Sequence, residues 1–381
     1  MQFKYRINKN LLFSSLLFLT LLYSFYDQLI LYYFDGYVIA ERLYLTLSFI
    51  SSLLFVYVVF DYKIKTRYVN IETNIFNKTS PLFLSWLVIL LIVAYGIYNG
   101  IQHTYELGWF NRRLREQVEF YRSGQWALMK SLLFSAYLLI LYHTRHDKRK
   151  MLISAIVAIL LVSVVEIALI GGRRMVVGMI IPVVYFLIIK VKLKYLLYLL
   201  TMSLLMFMFG GIREYIFHGN DISNMNDAIS STLLSNEFQY VSSGISHYIG
   251  IGNDKGYEYG LSYIKPITYL LSFFWFEQVQ STGREFGFFI SIFSEMILNF
   301  YWLSFFYFGV FILIYTKLVS RLDRFYSLIL ISLLMEMFRT SFLEFLLSFL
   351  MIYIFGMAIL LVDLFFKKIF FIYIYKERGD L

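Results

Sequence analysis

No cysteine occurs among the 381 residues of this chain, which removes disulfides, thiolate metal sites and thiol nucleophiles together. Charge is scarce as well: 15% of the residues are Asp, Glu, Lys or Arg. The five histidines are scattered without metal-ligand spacing, so no metal cofactor is expected. Walker A, GxSxG and HExxH patterns are missing, and with them the usual P-loop, serine-hydrolase and zinc-protease solutions. There is no internal repeat, low-complexity linker or heptad run.

What the chain does contain is apolar. It is 60% hydrophobic and 20% aromatic, and runs of about 20 apolar residues recur, each long enough to cross a hydrocarbon core of roughly 30 Å as a helix. This is the composition of an integral membrane protein, since no soluble core needs so many such runs. The start, MQFKYRINKN followed by LLFSSLLFLTLLYSFY, resembles a signal peptide. Its apolar run is too long and no small-x-small cleavage site follows, so a retained first span is expected. The net charge of +9 does not point to nucleic acid, because most basic residues stand in short connections where they orient the chain in a membrane.

The expected fold is an all-α polytopic membrane protein with about ten transmembrane helices, near 11–33, 39–60, 81–99, 126–142, 151–170, 174–190, 195–211, 288–316, 322–338 and 341–366. Helices one to seven fill 1–211, a large extracytoplasmic loop takes 212–284, and helices eight to ten with a cytoplasmic tail make up 285–381. That loop is expected to carry short interfacial or re-entrant helices, because 267–276 is apolar but too short to span. Basic clusters fall at every second junction, which places both termini in the cytoplasm.

Lysine and arginine divide by side. The inner clusters hold 14 Lys and 7 Arg; the outer positions hold 3 Lys (Lys130, Lys255, Lys265) and 10 Arg, among them Arg42, Arg173, Arg174, Arg213, Arg284 and Arg339. Guanidinium offers a planar fork suited to bidentate phosphate contact, whereas an ammonium anchors equally well as a point charge. The outer arginines therefore read as chemistry. Arg173 and Arg174 lie in IGGRRMVVG, a tight turn between two apolar runs, where a lipid diphosphate explains them better than snorkelling. Arg213, Arg284 and Arg339 are expected at the same outer depth.

Glu295 is placed at the outer rim of the hydrocarbon, where an ionisable group is a functional candidate and burial suits a general base. Asn299 shares its helix face. Glu166 is expected to pair with an arginine, and Glu336 and Glu344 to neutralise Arg339. Glu237, His247 and Glu258 in the loop are candidate acid, base or sugar-binding groups. The loop tyrosines, including Tyr248, Tyr259 and Tyr263, could stack on sugar faces, although interfacial tyrosine is common in membrane proteins.

Three features together resemble the O-antigen polymerases of the Wzy type, the oligosaccharide repeat unit polymerases. They are Gly171-Gly172-Arg173-Arg174 at a mid-chain outer hairpin; Tyr259-Gly260-Leu261-Ser262-Tyr263 with Pro266 in the large loop; and Glu295, Asn299, Phe300 and Gly309 in a late span. The likeness covers roughly residues 165–315. Where that pattern commonly has a glycine after the asparagine and aromatic, this chain has Tyr301-Trp302.

The resemblance implies glycosyl transfer, without metal or nucleotide, on the outer face of a bacterial inner membrane. Donor and acceptor would both be oligosaccharides on undecaprenyl diphosphate, in a bed of membrane lipids, with a chain-length regulator protein as a partner and no nucleic acid. Arg173 and Arg174, with Arg213, Arg284 and Arg339, would hold the diphosphate; Glu295, Glu237 or His247 would take the acceptor proton; Asn299, Tyr259 and Tyr263 would bind substrate. The alternatives are an O-antigen ligase using the same donor, a lipid-linked oligosaccharide flippase or transporter, and a non-catalytic sensor. A transporter predicts ionisable residues near mid-membrane and broken helices.

Overall fold

A computed structural model describes residues 8–60, 81–107, 124–169, 174–187, 237–255, 291–320 and 324–377. All regular structure among them is helical: α1 (Lys9–Asp35), α2 (Ala40–Val59), α3 (Leu82–Leu107), α4 (Gly124–Thr144), α5 (Lys148–Ser163) continuing into a π-helical turn (Val164–Leu169), α6 (Arg174–Leu187), α7 (Glu237–Lys255), α8 (Ile292–Phe300), a 3₁₀ turn (Tyr301–Leu303), α9 (Ser304–Val319), α10 (Phe325–Ser332), α11 (Glu336–Arg339) and α12 (Phe342–Glu377). Five stretches are long and apolar enough to cross a membrane: Lys9–Tyr33, Ala40–Val59, Leu82–Gln102, Ile292–Val319 and Glu344–Ile369. Helix occurs at nine of the ten expected spans; the tenth, 195–211, and the 267–276 segment lie outside the described residues.

Local chemistry fixes several helix ends. The Asn8 side chain accepts from the amides of Asn10 and Leu11, and α1 stops at Gly36, whose left-handed φ of 72° suits a residue without Cβ. Asp147 caps α5 through the amides of Arg149 and Lys150. Those bonds hold the Asp147 carboxyl below its ordinary pKa. Ser341 accepts from the amide of Glu344 at the start of α12, half of a Ser-x-x-Glu capping box.

The core centres on α4. Every side chain from Leu133 to Tyr142 is buried, as expected of a helix surrounded by others, and α3, α5, α6, α10 and α12 pack around it. The hydroxyls within it are satisfied: Tyr137 donates to the Met179 carbonyl at 2.6 Å and Ser135 to the Ile352 carbonyl at 2.7 Å. Beside this group, α1 and α2 form an antiparallel pair, and α9 runs parallel to α2.

Contacts along that pair define two ends. At one, Lys9 Nζ sits 4.0 Å from the Tyr57 ring centroid and Lys317 Nζ donates to the Phe60 carbonyl at 2.6 Å. At the other, Tyr301 hydrogen-bonds Glu41 in the first turn of α2, next to Arg42.

The expected span at 288–316 is not one straight helix. In a continuous helix Phe293 and Phe308 would stand about 22 Å apart, yet their ring centroids are 5.2 Å apart, and the rings of Phe300 and Tyr307 stack. Helices α8 and α9 are therefore a hairpin closed at Tyr301, whose backbone takes φ 41° and ψ −111°. The apolar run 322–338 differs too: α10 has 8 residues, and a turn at Leu333–Met335 separates it from α11.

Helix α7 lies in the region expected to form an external loop, but it is built into the bundle. Its Phe238 packs against Tyr23 and Tyr26, and its Ser242 meets Asp27, so it rises beside α1 in the same direction. Val241, Ser242, Ile245, Tyr248 and Ile249 are buried.

Candidate functional site

The polar helix α7 and the 9-residue α8 are packed together between α1, α2, α9 and α11, and they bring polar side chains into an apolar bundle. Ser291 caps α8, its hydroxyl accepting from the Ser294 amide. One turn on, Glu295 is 4% exposed. Its Oε2 accepts from the backbone amide of Phe342, the first residue of α12, at 2.7 Å. A carboxylate is well placed there, because the first amides of a helix have no intrahelical acceptor and the dipole favours negative charge. Asn299 is fully buried, and its Nδ2 donates to the Glu295 carbonyl at 2.7 Å.

Arg339 stands three residues before Phe342 and is 5% exposed; its Nη1 lies 3.5 Å from Glu336 Oε1. Glu295 and Asn299 thus lie on α8, which packs on α11, the helix of Arg339, and Glu295 bonds the start of α12. The sequence had placed Glu295 and Arg339 at the rim. Phe338 packs on Phe293, and Phe293 on Phe308; Phe308 is seven residues along α9 from Tyr301, which is about 10 Å. The turn bearing Arg339 is that much deeper than the Glu41 end, because α10 is too short to reach further. Glu336 pairs with Arg339 as expected, whereas Glu344 is exposed and contributes its backbone amide to the cap of Ser341.

A second polar cluster occupies the Glu41 end. Arg42 is 2% exposed, and its Nη2 reaches Asp27 Oδ1 at 2.7 Å, the Ser24 carbonyl at 2.8 Å and the Ser242 carbonyl at 2.8 Å. Ser242 Oγ donates to Asp27 Oδ1 and accepts from the Asp27 amide, both at 2.8 Å. Gln28 donates to Asp27 Oδ2 at 2.9 Å and accepts from the Ile39 amide in the turn before α2. Arg42, grouped by sequence with arginines set aside for an anionic substrate, is thus occupied by Asp27. The signal was present as two opposite charges flanking a short turn inside apolar runs.

A third pair sits on the π-helical turn. Glu166, 3% exposed, pairs with Lys130, whose Nζ donates to Oε2 at 3.1 Å and lies 2.8 Å from Oε1, so its partner is a lysine and not the expected arginine. Such turns aim side chains differently from the α-helix around them.

On α7, His247 packs edge-on against Tyr248. Tyr248 is 2% exposed, so this tyrosine is core and presents no face to a sugar. Arg174 opens α6 and Glu237 opens α7; their side chains, together with Arg173, Arg213, Glu258, Tyr259, Tyr263 and Arg284, lie outside the described residues. Among the described residues no three His, Cys, Asp or Glu side chains gather as a metal site.

A buried carboxylate set on a helix N-terminus, with a guanidinium on the neighbouring helix, can accept a proton and hold an anion. Comparisons of the chain with protein-family models, with curated proteins and with solved structures find no match.

Proposed function

We propose that this chain is a membrane glycosyltransferase that polymerises undecaprenyl-diphosphate-linked oligosaccharide repeat units into a surface polysaccharide. It works on the outer face of a bacterial inner membrane, with both termini cytoplasmic. The observation that carries the proposal is Glu295, a carboxylate among apolar helices, held by the Phe342 amide beside Asn299 and Arg339. The resemblance around Gly171-Gly172-Arg173-Arg174 and Glu295 supports the same reading.

In this mechanism a hydroxyl oxygen of the acceptor sugar attacks the anomeric carbon of the donor. The bond from that carbon to the diphosphate oxygen breaks, and the diphosphate leaves on its lipid. Glu295 takes the hydroxyl proton, with Glu237 or His247 as the alternative base. Arg173, Arg174, Arg213, Arg284 and Arg339 stabilise the charge that grows on the leaving diphosphate, an effect worth several kcal/mol where water is excluded.

Glu295→Gln is the sharp variant. The amide oxygen of glutamine still accepts from Phe342, so the fold is kept while proton acceptance is lost. Purified protein given a synthetic prenyl diphosphate repeat unit should build a ladder of products without added metal or nucleotide. Glu295→Gln should slow that ladder by about 10²-fold or more; an undiminished ladder would remove Glu295 as the base.

One observation favours a second reading. The Glu295–Arg339 turn lies about 10 Å inside the Glu41 end by helical rise, and ionisable residues set within the bundle are a feature of transporters. A lipid-linked oligosaccharide flippase would move the intact substrate across vesicles and make no ladder.

A further inference from the structure

We propose that Arg42, Asp27 and Ser242 form a clamp that sets the position of α7, and that Arg42 is a positioning residue for saccharide binding; the second half rests on the polymerase reading. A buried ion pair is a poor source of net stability, because desolvation of both charges offsets their attraction. Its value lies in directional bonds that only one arrangement satisfies. Here a single guanidinium nitrogen meets the Ser24 carbonyl and Asp27 carboxylate of α1 and the Ser242 carbonyl of α7. The Ser242 hydroxyl both donates to and accepts from Asp27. Sliding or rotating α7 by one residue would break the three bonds made by Ser242 together and leave the buried Arg42–Asp27 pair without them.

The apolar contacts of α7 carry no comparable registry. Phe238 touches both Tyr23 and Tyr26, and rings of this kind pack acceptably over a range of offsets. The polar clamp therefore selects one height for α7. That choice matters because α7 carries His247, five residues beyond Ser242, and packs directly on α8, the helix of Glu295 and Asn299. Through α2 the same turn also holds the α8–α9 hairpin, since Glu41 bonds Tyr301. Two adjacent residues of α2 thus fix both short helices of the site.

The absence of cysteine allows a direct measurement. Spin labels are placed at Leu29→Cys on α1 and Ser243→Cys on α7, and their separation is read by pulsed electron resonance in Arg42→Ala, Ser242→Ala and the parent. The expected result is a narrow distance distribution in the parent, a broad one in Arg42→Ala and an intermediate one in Ser242→Ala. In the ladder assay Arg42→Ala should raise KM for the lipid-linked acceptor on the order of tenfold while kcat changes less, the mark of lost substrate positioning.

Ser242→Ala leaves Arg42 and Asp27 paired, so it decides the matter if Arg42→Ala does not fold. An unchanged distance distribution in a folded variant overturns the clamp. A broadened distribution with an unchanged KM overturns the positioning role. If the parent makes no ladder, the polymerase reading falls, and the label distances alone judge the clamp.

Discussion

Tyr301 is the residue where sequence and backbone disagree most usefully. Left-handed φ is costly for a side chain with Cβ, and Tyr301 is the one non-glycine residue with positive φ among those described. Its hydroxyl bond to Glu41 and its packing hold the turn. Tyr301→Phe removes only the hydrogen bond and should lower stability by about 1 kcal/mol. Tyr301→Gly relieves the backbone but loses ring and bond, and should destabilise more than Tyr301→Phe in a thermal melt in detergent. A melting temperature above the parent for Tyr301→Gly would show that backbone strain outweighs both contacts.

Asp147 gives a prediction in pH. Its folded-state pKa is depressed by the amides of Lys150 and Arg149, so its stabilisation is complete above the ordinary carboxylate range and is lost as pH falls through the lowered value. Amide exchange at Lys150 and Met151 should accelerate on acidification, and in Asp147→Ala should be fast throughout. Asp147→Asn should retain most of the cap, because an amide oxygen also accepts at this position.

At this scale the sequence located Glu295 and Asn299, because a carboxylate and an amide inside an apolar run are rare enough to notice. It did not reveal what they touch. The Phe342 amide that Glu295 meets is a backbone group 47 residues away, and no side-chain pattern announces it.

Among elements, the apolar runs marked where helix occurs but not where it breaks or turns back. The run 288–316 has the length of one span and folds as a hairpin at Tyr301. Likewise 322–338 reads as a span and is cut at Leu333–Met335. Hydropathy measures how much of a segment avoids water, and a helix buried by other helices avoids water as fully as one that crosses a bilayer.

Close helix crossings depend on particular glycines. A Cβ at Gly356 on α12 would sit 2.5 Å from the Phe325 ring of α10, whereas one at Gly309 on α9 would sit 3.4 Å from Ser52 of α2. Gly356→Ala should therefore lose about 1–3 kcal/mol, and Gly309→Ala should be nearly silent. Equal melting temperatures for the two variants would show that Phe325 turns aside freely.

For the whole molecule, two groups of polar contacts mark opposite ends of the α1–α2 pair. Lys9, Lys317 and Phe60 share one, and Glu41, Arg42 and Tyr301 the other. The orientation bias of basic residues predicts that the first end is cytoplasmic. With no native cysteine to interfere, Asp35→Cys should react with an impermeant maleimide on intact cells and His146→Cys only after permeabilisation. The reverse pattern would invert the protein and place Glu295 near the wrong face for lipid-linked sugars.

Helix α12 starts at the Glu295 bond and runs for 36 residues, about 54 Å. That length exceeds a hydrocarbon core of roughly 30 Å, and its far part carries the exposed rings of Phe365 and Phe366. Its slope is set by the helices it packs on, α4 among them, and its first amide is the one that Glu295 holds. One long rod therefore ties the carboxylate to the opposite side of the bundle.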